Sequence, residues 1–343
     1  MQRIKTNTDY LEKKISTAIA RIASLSTLYL PLDIPHDLQL LYNELGNPFF
    51  NSLTKEQIVM LAPLQMRIWN LHLKFKLLLI LKSQKIGISS LCILITIYHA
   101  LTDCMGMELI IQAQSDDQAK SHAQDFRRIL GGSAKYRDYL ITKDFTQLGL
   151  LRDEVTKVHT IYLHNPKNPR MPTKIIIVGM SPGALLSHKR VAFIWSSDMS
   201  ISQLTSDRQN QVWAAMLSRR ANSQGPVIVE CPARAPAGPI YDTWEKYEQK
   251  LIDGIKPNPN QDFHCFKFKY DLGLRDGFFD EEFITSEKER LGPLFGTFYE
   301  ADFFASDTVW YEEGHFKNKT DQATDLFLQF NTQDDSVSNL TDD

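Results

Sequence analysis

The chain has 343 residues, 43% of them hydrophobic and 23% charged, with a formal net charge of −3. That is enough for one large or two ordinary domains around a sizeable core, in the composition range of a soluble globular protein. The near-neutral charge supplies no global basic field, so any binding of nucleic acid requires a local patch.

Residues 1 to 60 read as a helical accessory segment. Tyr10, Leu11, Ile15, Ile19, Ile22 and Leu25 make one helix face, Leu30 to Pro35 interrupts it, and His36 to Leu45 forms a second helix. Leu61 to Trp69 then leads to an apolar run of strand length, Phe75 to Leu81. Gln65 lies before that strand, where a side-chain amide can pair with the edge of adenine.

The loop Lys82-Ser83-Gln84-Lys85-Ile86-Gly87 follows, and Ile88-Ser89-Ser90 opens a helix carrying Leu91, Leu94, Ile95, Tyr98 and Leu101 at spacings of three and four. Strand, loop with lysines and a glycine, then hydroxyls at a helix start is the layout of a phosphate-binding loop. Helix N-terminal amides face the anion there, a lysine neutralises its charge, and a hydroxyl joins the Mg²⁺ shell. Against G-x-x-x-x-G-K-[ST], Lys82 stands at the first glycine, Gly87 is in place, Ile88 replaces the lysine and Ser89 keeps the hydroxyl. Lys82 or Lys85 would then reach the phosphates from the other side of the loop. The alternative is an ordinary strand-to-helix turn with exposed lysines.

Further on, Glu108 to Ser115 reads as a strand and Asp116 to Leu130 as a helix, with Ala119, Ala123, Phe126 and Leu130 on one face. Strands at Lys174 to Gly179 and Val191 to Trp195 continue a β-α-β order that argues for a mostly parallel sheet flanked by helices. The latter ends in Ser196-Ser197-Asp198. Nucleotide hydrolases place an acid at the end of a strand beside the P-loop strand to hold Mg²⁺ or polarise water. Asp198 fits, but no acid adjoins it. Either Asp198 meets the metal and a second acid is missing, or Ser197 takes the metal side and Asp198 is the base; a turn aspartate is the structural alternative.

Helix Gln203 to Ala221, strand Pro226 to Glu230, helix Tyr241 to Ile252, an aromatic-rich stretch from Phe278 to Tyr311 and a polar, acidic tail complete the chain. The four cysteines (Cys92, Cys104, Cys231, Cys265) form no C-x-x-C pair, and the nine histidines show no ligand spacing. Buried free thiols in a reducing cytoplasm are expected rather than a zinc site. No apolar run approaches the roughly 18 residues of a membrane span.

With these pieces in order, the chain resembles the ATPase domain of large terminase subunits, the DNA-packaging motors of tailed viruses. The resemblance rests on Leu64-Gln65 as adenine motif and Lys82 to Ser90 as a deviant Walker A, where relatives often carry Lys-x-Arg-Gln-x-Gly-x-Ser-Thr. It continues through Ile111 to Ser115 with Gln118-Ala119, the strand ending at Asp198, and Val227 to Arg234 with Gly238 to Trp244 as the coupling region. Phe298-Tyr299-Glu300-Ala301-Asp302-Phe303 closes the set.

The resemblance implies a P-loop NTPase domain over residues 61–312, binding ATP with Mg²⁺ and moving double-stranded DNA, in company with portal or small-terminase-like proteins and as a homo-oligomeric ring. Residues 313–343 would be a disordered tail, and no nuclease is expected because little chain follows Trp310. Lys82 and Lys85 would serve phosphates together with Ser83, Gln84, Ile86, Gly87 and Ser90; Ser89 and Asp198 would hold the metal, and Glu230 would supply a base or tie down the loop after it. Arg127, Arg128, Arg219 or Arg220 could complete a neighbouring site. Gln84 in place of arginine, the unpaired Asp198 and Glu230-Cys231 in place of Ser-Thr point equally to a nucleotide-binding assembly module with impaired turnover. A helicase-like ATPase is disfavoured, since no Asp-Glu-x-His box follows a strand.

Overall fold

The computed structural model describes residues 34–51, 54–141, 159–201 and 204–303. The expected helix over Tyr10 to Leu25 and the acidic tail lie outside them. The strands are β1 (Leu77–Lys82), β2 (Glu108–Ala113), β3 (Thr160–Leu163), β4 (Thr173–Gly179), β5 (Val191–Ser197), β6 (Val227–Cys231) and β7 (His264–Phe268). They form one sheet in the order β3-β4-β2-β5-β6-β1-β7. Every neighbouring pair is parallel except β3 with β4 at one edge.

The helices are α1 (Leu38–Glu44), α2 (Pro63–Lys74), α3 (Ile88–Leu101), α4 (Asp116–Gly132), α5 (Pro182–Leu186), α6 (Ser206–Ser223), α7 (Pro239–Ile252), α8 (Tyr270–Arg275) and α9 (Glu281–Leu291). They cover both faces of the sheet, which is why β1 is continuously apolar from Leu77 to Leu81 and buried at every position rather than alternating. Leu78, Ile80, Trp195 and Ile228 pack with α2, α3 and α4 on one face. Leu79, Ile194 and Val229 pack with Val212, Trp213 and Met216 of α6 on the other.

Helix α3 is buried on all sides from Leu91 to Leu101 and has no solvent stripe. It is the central helix of its layer. Helix α4 buries the face read from its sequence, and Ser115 caps it by accepting from the Gln118 N–H at 3.2 Å. Residues 34–60 do not stand apart: Leu38, Leu41, Tyr42 and Leu45 share the core of Ile68 and Trp69.

One expectation needs correction. The strand that delivers Asp198 is not beside the P-loop strand, because β6 lies between β5 and β1. The register pairs Glu230 with Ile80 on one side and with Ser197 on the other. Since side chains alternate along a strand, paired residues of neighbouring parallel strands share a face. Glu230 and Ser197 therefore meet on the α3 side, at the carboxyl edge of the sheet.

The turn between α6 and β6 admits no side chain at Gly225, where a Cβ would lie 1.8 Å from the Ala192 carbonyl oxygen. Gly225→Ala is expected to lower the unfolding free energy by about 1–3 kcal/mol through overpacking. Urea denaturation checks it, and an unchanged midpoint would contradict this packing.

Candidate functional site

The loop after β1 is pinned by its own backbone. Ser83 donates its N–H to the Phe268 carbonyl at 2.7 Å, and Gln84 donates to that of Phe298 at 2.8 Å. Lys85 (φ 61°) and Gly87 (φ 72°) then take left-handed conformations that turn the chain back into α3. Glycine is required at 87 twice over. A Cβ there would lie 2.7 Å from the Phe278 ring and 3.1 Å from Gln65 Nε2. The loop and the first turn of α3 line a cleft of about 570 Å³, in the size range of small-molecule sites.

At the floor of the cleft Lys82 ends β1 with its side chain almost fully buried. Its Nζ lies 2.7 Å from Glu230 Oε2, 3.3 Å from Asp198 Oδ1 and 3.2 Å from Ser89 Oγ. Ser89 and Ser197 both donate to Glu230 Oε1, at 3.1 and 2.8 Å. Gln118 Nε2 donates to Asp198 Oδ2 at 3.0 Å, while Gln118 Oε1 accepts from the Gln114 N–H. Asp198 has a left-handed backbone (φ 56°) and gives its N–H to the Glu230 carbonyl at 2.7 Å. An aspartate tolerates that conformation better than most residues, and it bends the chain out of β5 over the cluster.

Burial raises the Glu230 carboxyl, the Lys82 ammonium pulls it down and the Asp198 charge pushes it up again, leaving it at about 6. Burial alone would lower the Lys82 ammonium, but Glu230 and Asp198 outweigh it and hold it above its ordinary value. The two shifts act at opposite ends of the pH scale. A carboxyl raised from 4.5 to about 6 favours folding most below 4.5, and that advantage is lost as pH rises through 6. The raised lysine keeps its contribution at neutral pH and loses it only under strongly alkaline conditions.

The structure places the residues singled out by sequence in three groups. Lys82, Ser89, Asp198 and Glu230 converge in the ion-pair cluster. Gln65, Lys85, Ile86, Gly87 and Ser90 join Lys82 and Ser89 in lining the cleft, with Lys85 Nζ 4.7 Å above the Phe283 ring. Gln65 holds α2 to the loop, accepting from the Ala62 N–H at 3.1 Å and donating to the Gly87 carbonyl at 3.3 Å. One amide proton and one lone pair of Gln65 have no further partner among the described residues.

Ser83 and Gln84 do not line the cleft; their role is backbone anchoring. Nor does Glu230 tie down the loop after it, since its side chain turns to Lys82, Ser89 and Ser197. The four arginines hold carbonyls away from the cleft: Arg127 that of Thr160, Arg128 that of Pro48, Arg219 that of Leu186 and Arg220 those of Gly225 and Asn260.

Sequence reading passed over the roles of Gln118 and of Phe49, Phe50 and Phe278, which wall the cleft. The one mark on Gln118 was its place in the Gln118-Ala119 pair of the motif after β2. The phenylalanines come from distant segments and carry none.

Strand order, a loop turning into the central helix, and acids at the carboxyl edge together define a P-loop-type α/β fold. Within that class the chain has the fold of large terminase ATPase domains. The large terminase ATPase domain of Thermus phage P74-26 aligns with a TM-score of 0.55 at 14% identity, covering 80% of this chain and 99% of that one. The HK97 bacteriophage large terminase aligns with a TM-score of 0.51 at 10% identity over 75% of this chain and 53% of that one. No protein-family model matches the sequence, and no curated protein matches it. What is shared at these identities is the fold. Among the described residues no helix is long and apolar enough to cross a membrane.

Lys82→Met would leave two acids facing each other without a cation. It is expected to destabilise the protein by about 3–5 kcal/mol, the range for breaking a buried pair. Adding Glu230→Gln should restore most of that loss. Denaturant unfolding of both variants checks the pair, and strictly additive losses would contradict a direct interaction.

Proposed function

We propose that this chain binds ATP with Mg²⁺ in the cleft and couples its hydrolysis to movement of double-stranded DNA. The observation that carries the reading is the convergence of Lys82, Ser89, Asp198 and Glu230 where a loop turns into a buried helix at the carboxyl edge of a parallel sheet. Crevices at such edges are where open α/β sheets take their ligands.

The cluster is already a cation site. An ammonium is surrounded by three oxygens at 2.7–3.3 Å, and Glu230 Oε2 has no donor other than Lys82. A hydroxyl and carboxylates are hard oxygen donors of the kind Mg²⁺ takes, so the residues fit that ion. Ser89 and Asp198 would hold it, beside Glu230. Bound there, it would neutralise developing phosphate charge.

The protein's own groups divide the remaining work. Lys82 exchanges its carboxylate partners for phosphate oxygens of the same charge, and Lys85 meets the nucleotide from the cleft wall. Amides at the start of α3 receive phosphate oxygens, and Gln65 meets the base. Glu230, a buried carboxylate beside Ser89 and Asp198, would take a proton from attacking water. Gln118 keeps Asp198 oriented. Portal or small-terminase-like partners, a ring of subunits and a cytoplasmic setting belong to the same proposal.

A second reading is a nucleotide-binding assembly module without efficient turnover. It is favoured by the engagement of Glu230 with both Lys82 and two serines, and by Ser197 and Met199 as the neighbours of Asp198.

Lys82→Ala combined with Lys85→Ala should abolish binding of a fluorescent ATP analogue. Equal affinity in both proteins, or none in either, would sink nucleotide binding at this loop. Steady-state ATPase with and without DNA separates the two readings. Glu230→Gln should slow turnover by about 10²–10⁴ while leaving affinity nearly intact, the loss expected of a general base. An active Glu230→Gln protein would remove that role, and no turnover in the wild type under any condition would favour the binding module.

A further inference from the structure

The other end of α3 carries a second polar cluster that the nucleotide site does not use. His99 lies in the last turn of the helix, and Asp103 and Cys104 follow in the turn after it. His99 and Cys104 are buried, whereas the Asp103 side chain is 53% exposed. The Cys104 N–H returns to the His99 carbonyl at 2.9 Å, folding the turn onto the helix end. As a result one donor atom each from His99, Asp103 and Cys104 lie within 4.8 Å of one another.

His72 of α2 completes the corner. Its ring meets that of His99 edge-on, with centroids 5.4 Å apart and an interplanar angle of 85°. Only 3% of His72 is exposed, and neither ring nitrogen has a hydrogen-bond partner. The Trp69 carbonyl pulls weakly on the ring without reaching hydrogen-bond geometry. His99 Nδ1 meets Asp103 Oδ1 at 2.8 Å, while its Nε2 is likewise buried and unpaired.

A buried polar group left unpaired costs about 1–3 kcal/mol. Here His72 Nδ1, His72 Nε2 and His99 Nε2 are all unpaired in one corner, beside a thiol and a carboxylate. Ordinary core histidines place at least their N–H on an acceptor. Aromatic packing of His72 on Trp69 explains the position of the ring but not its unpaired nitrogens.

We propose that His99, Asp103 and Cys104 form a binding site for a divalent transition metal of the zinc class, beside the unpaired ring of His72. The donor set decides the class. Imidazole, thiolate and carboxylate are ligands of Zn²⁺ and related ions, whereas Mg²⁺ and Ca²⁺ take oxygen alone. Three protein donors leave the fourth tetrahedral position open to water or to His72. Metal–ligand bonds of about 2.0–2.3 Å set the donors about 3.3–3.8 Å apart, so side-chain shifts of about 1 Å bring the donors of His99, Asp103 and Cys104 to that spacing. The cation lies at the negative end of the α3 dipole, which favours it. The Cys104 thiol proton leaves to solvent past the exposed Asp103 as the metal–sulfur bond forms.

Such an ion would tie the end of α3 to the turn after it, at the end remote from the cleft. Helix α3 has 14 residues, which at 1.5 Å per residue puts the metal about 20 Å from the phosphate loop. The site is thus separable from Mg²⁺ and nucleotide.

The test uses the full chain, stripped with chelator and titrated with Co²⁺ as a spectroscopic stand-in for Zn²⁺. One equivalent should bind, with the visible bands of tetrahedral cobalt and a thiolate charge-transfer band in the near ultraviolet. Cys104→Ser should remove the charge-transfer band, and His72→Gln should weaken binding by about 10–100-fold, the range for groups supporting a metal. Asp103→Asn, an isosteric change at a half-exposed side chain, should also weaken binding. Zn²⁺ should displace the cobalt and raise the melting temperature of the wild type but not of Cys104→Ser. Absence of a tetrahedral spectrum, or a charge-transfer band that persists in Cys104→Ser, would overturn the proposal.

Discussion

The buried contact between Lys82 and Glu230 is the constraint around which the carboxyl edge of the sheet is arranged. An isolated charge in such a place would carry a penalty of several kcal/mol, so each partner requires the other. Lys82 brings in the end of β1, Glu230 the end of β6, Asp198 the exit from β5 and Ser89 the start of α3. Four separate segments are therefore registered to one another by a single polar knot. Because β6 lies between β1 and β5, Glu230 can touch Lys82 on one side and Ser197 on the other.

The knot has a functional corollary. A lysine already neutralised by two acids is stable without ligand. Under the proposed function, an incoming triphosphate with its cation would replace both sides of that pairing at once: phosphate oxygens would take the ammonium, and the cation would take the acids. This is a way to make the resting site stable and the loaded site different from it, in a scaffold whose fold is that of terminase ATPase domains.

Helix α3 links the polar ends of this layer. Its first turn receives the loop from β1 and its last turn bears His99, while the residues between are buried in the common core. A helix without a polar face transmits displacement poorly to solvent and well to its neighbours, since close-packed interiors do not absorb strain. Helix α2 meets the loop after β1 through Gln65 and the far end of α3 through His72.

Much of this was written plainly in the chain. The apolar run of β1, the turn chemistry before Ile88, the strand–helix alternation and the buried face of α4 follow from periodicity and local backbone preference, which act over a few residues and survive in any context. So Lys82, Gly87, Ser89 and Asp198 could be picked out by position relative to elements. Strand order could not, because nothing local tells β6 to lie between β1 and β5, and with that order went the partner of Glu230. The walls of the cleft came from Phe49, Phe50 and Phe278, segments more than two hundred residues apart. The histidines and cysteines showed no ligand spacing along the chain. His72 lies on one helix and His99, with Asp103 and Cys104, at the end of the next, so only the packing of α2 on α3 sets them side by side.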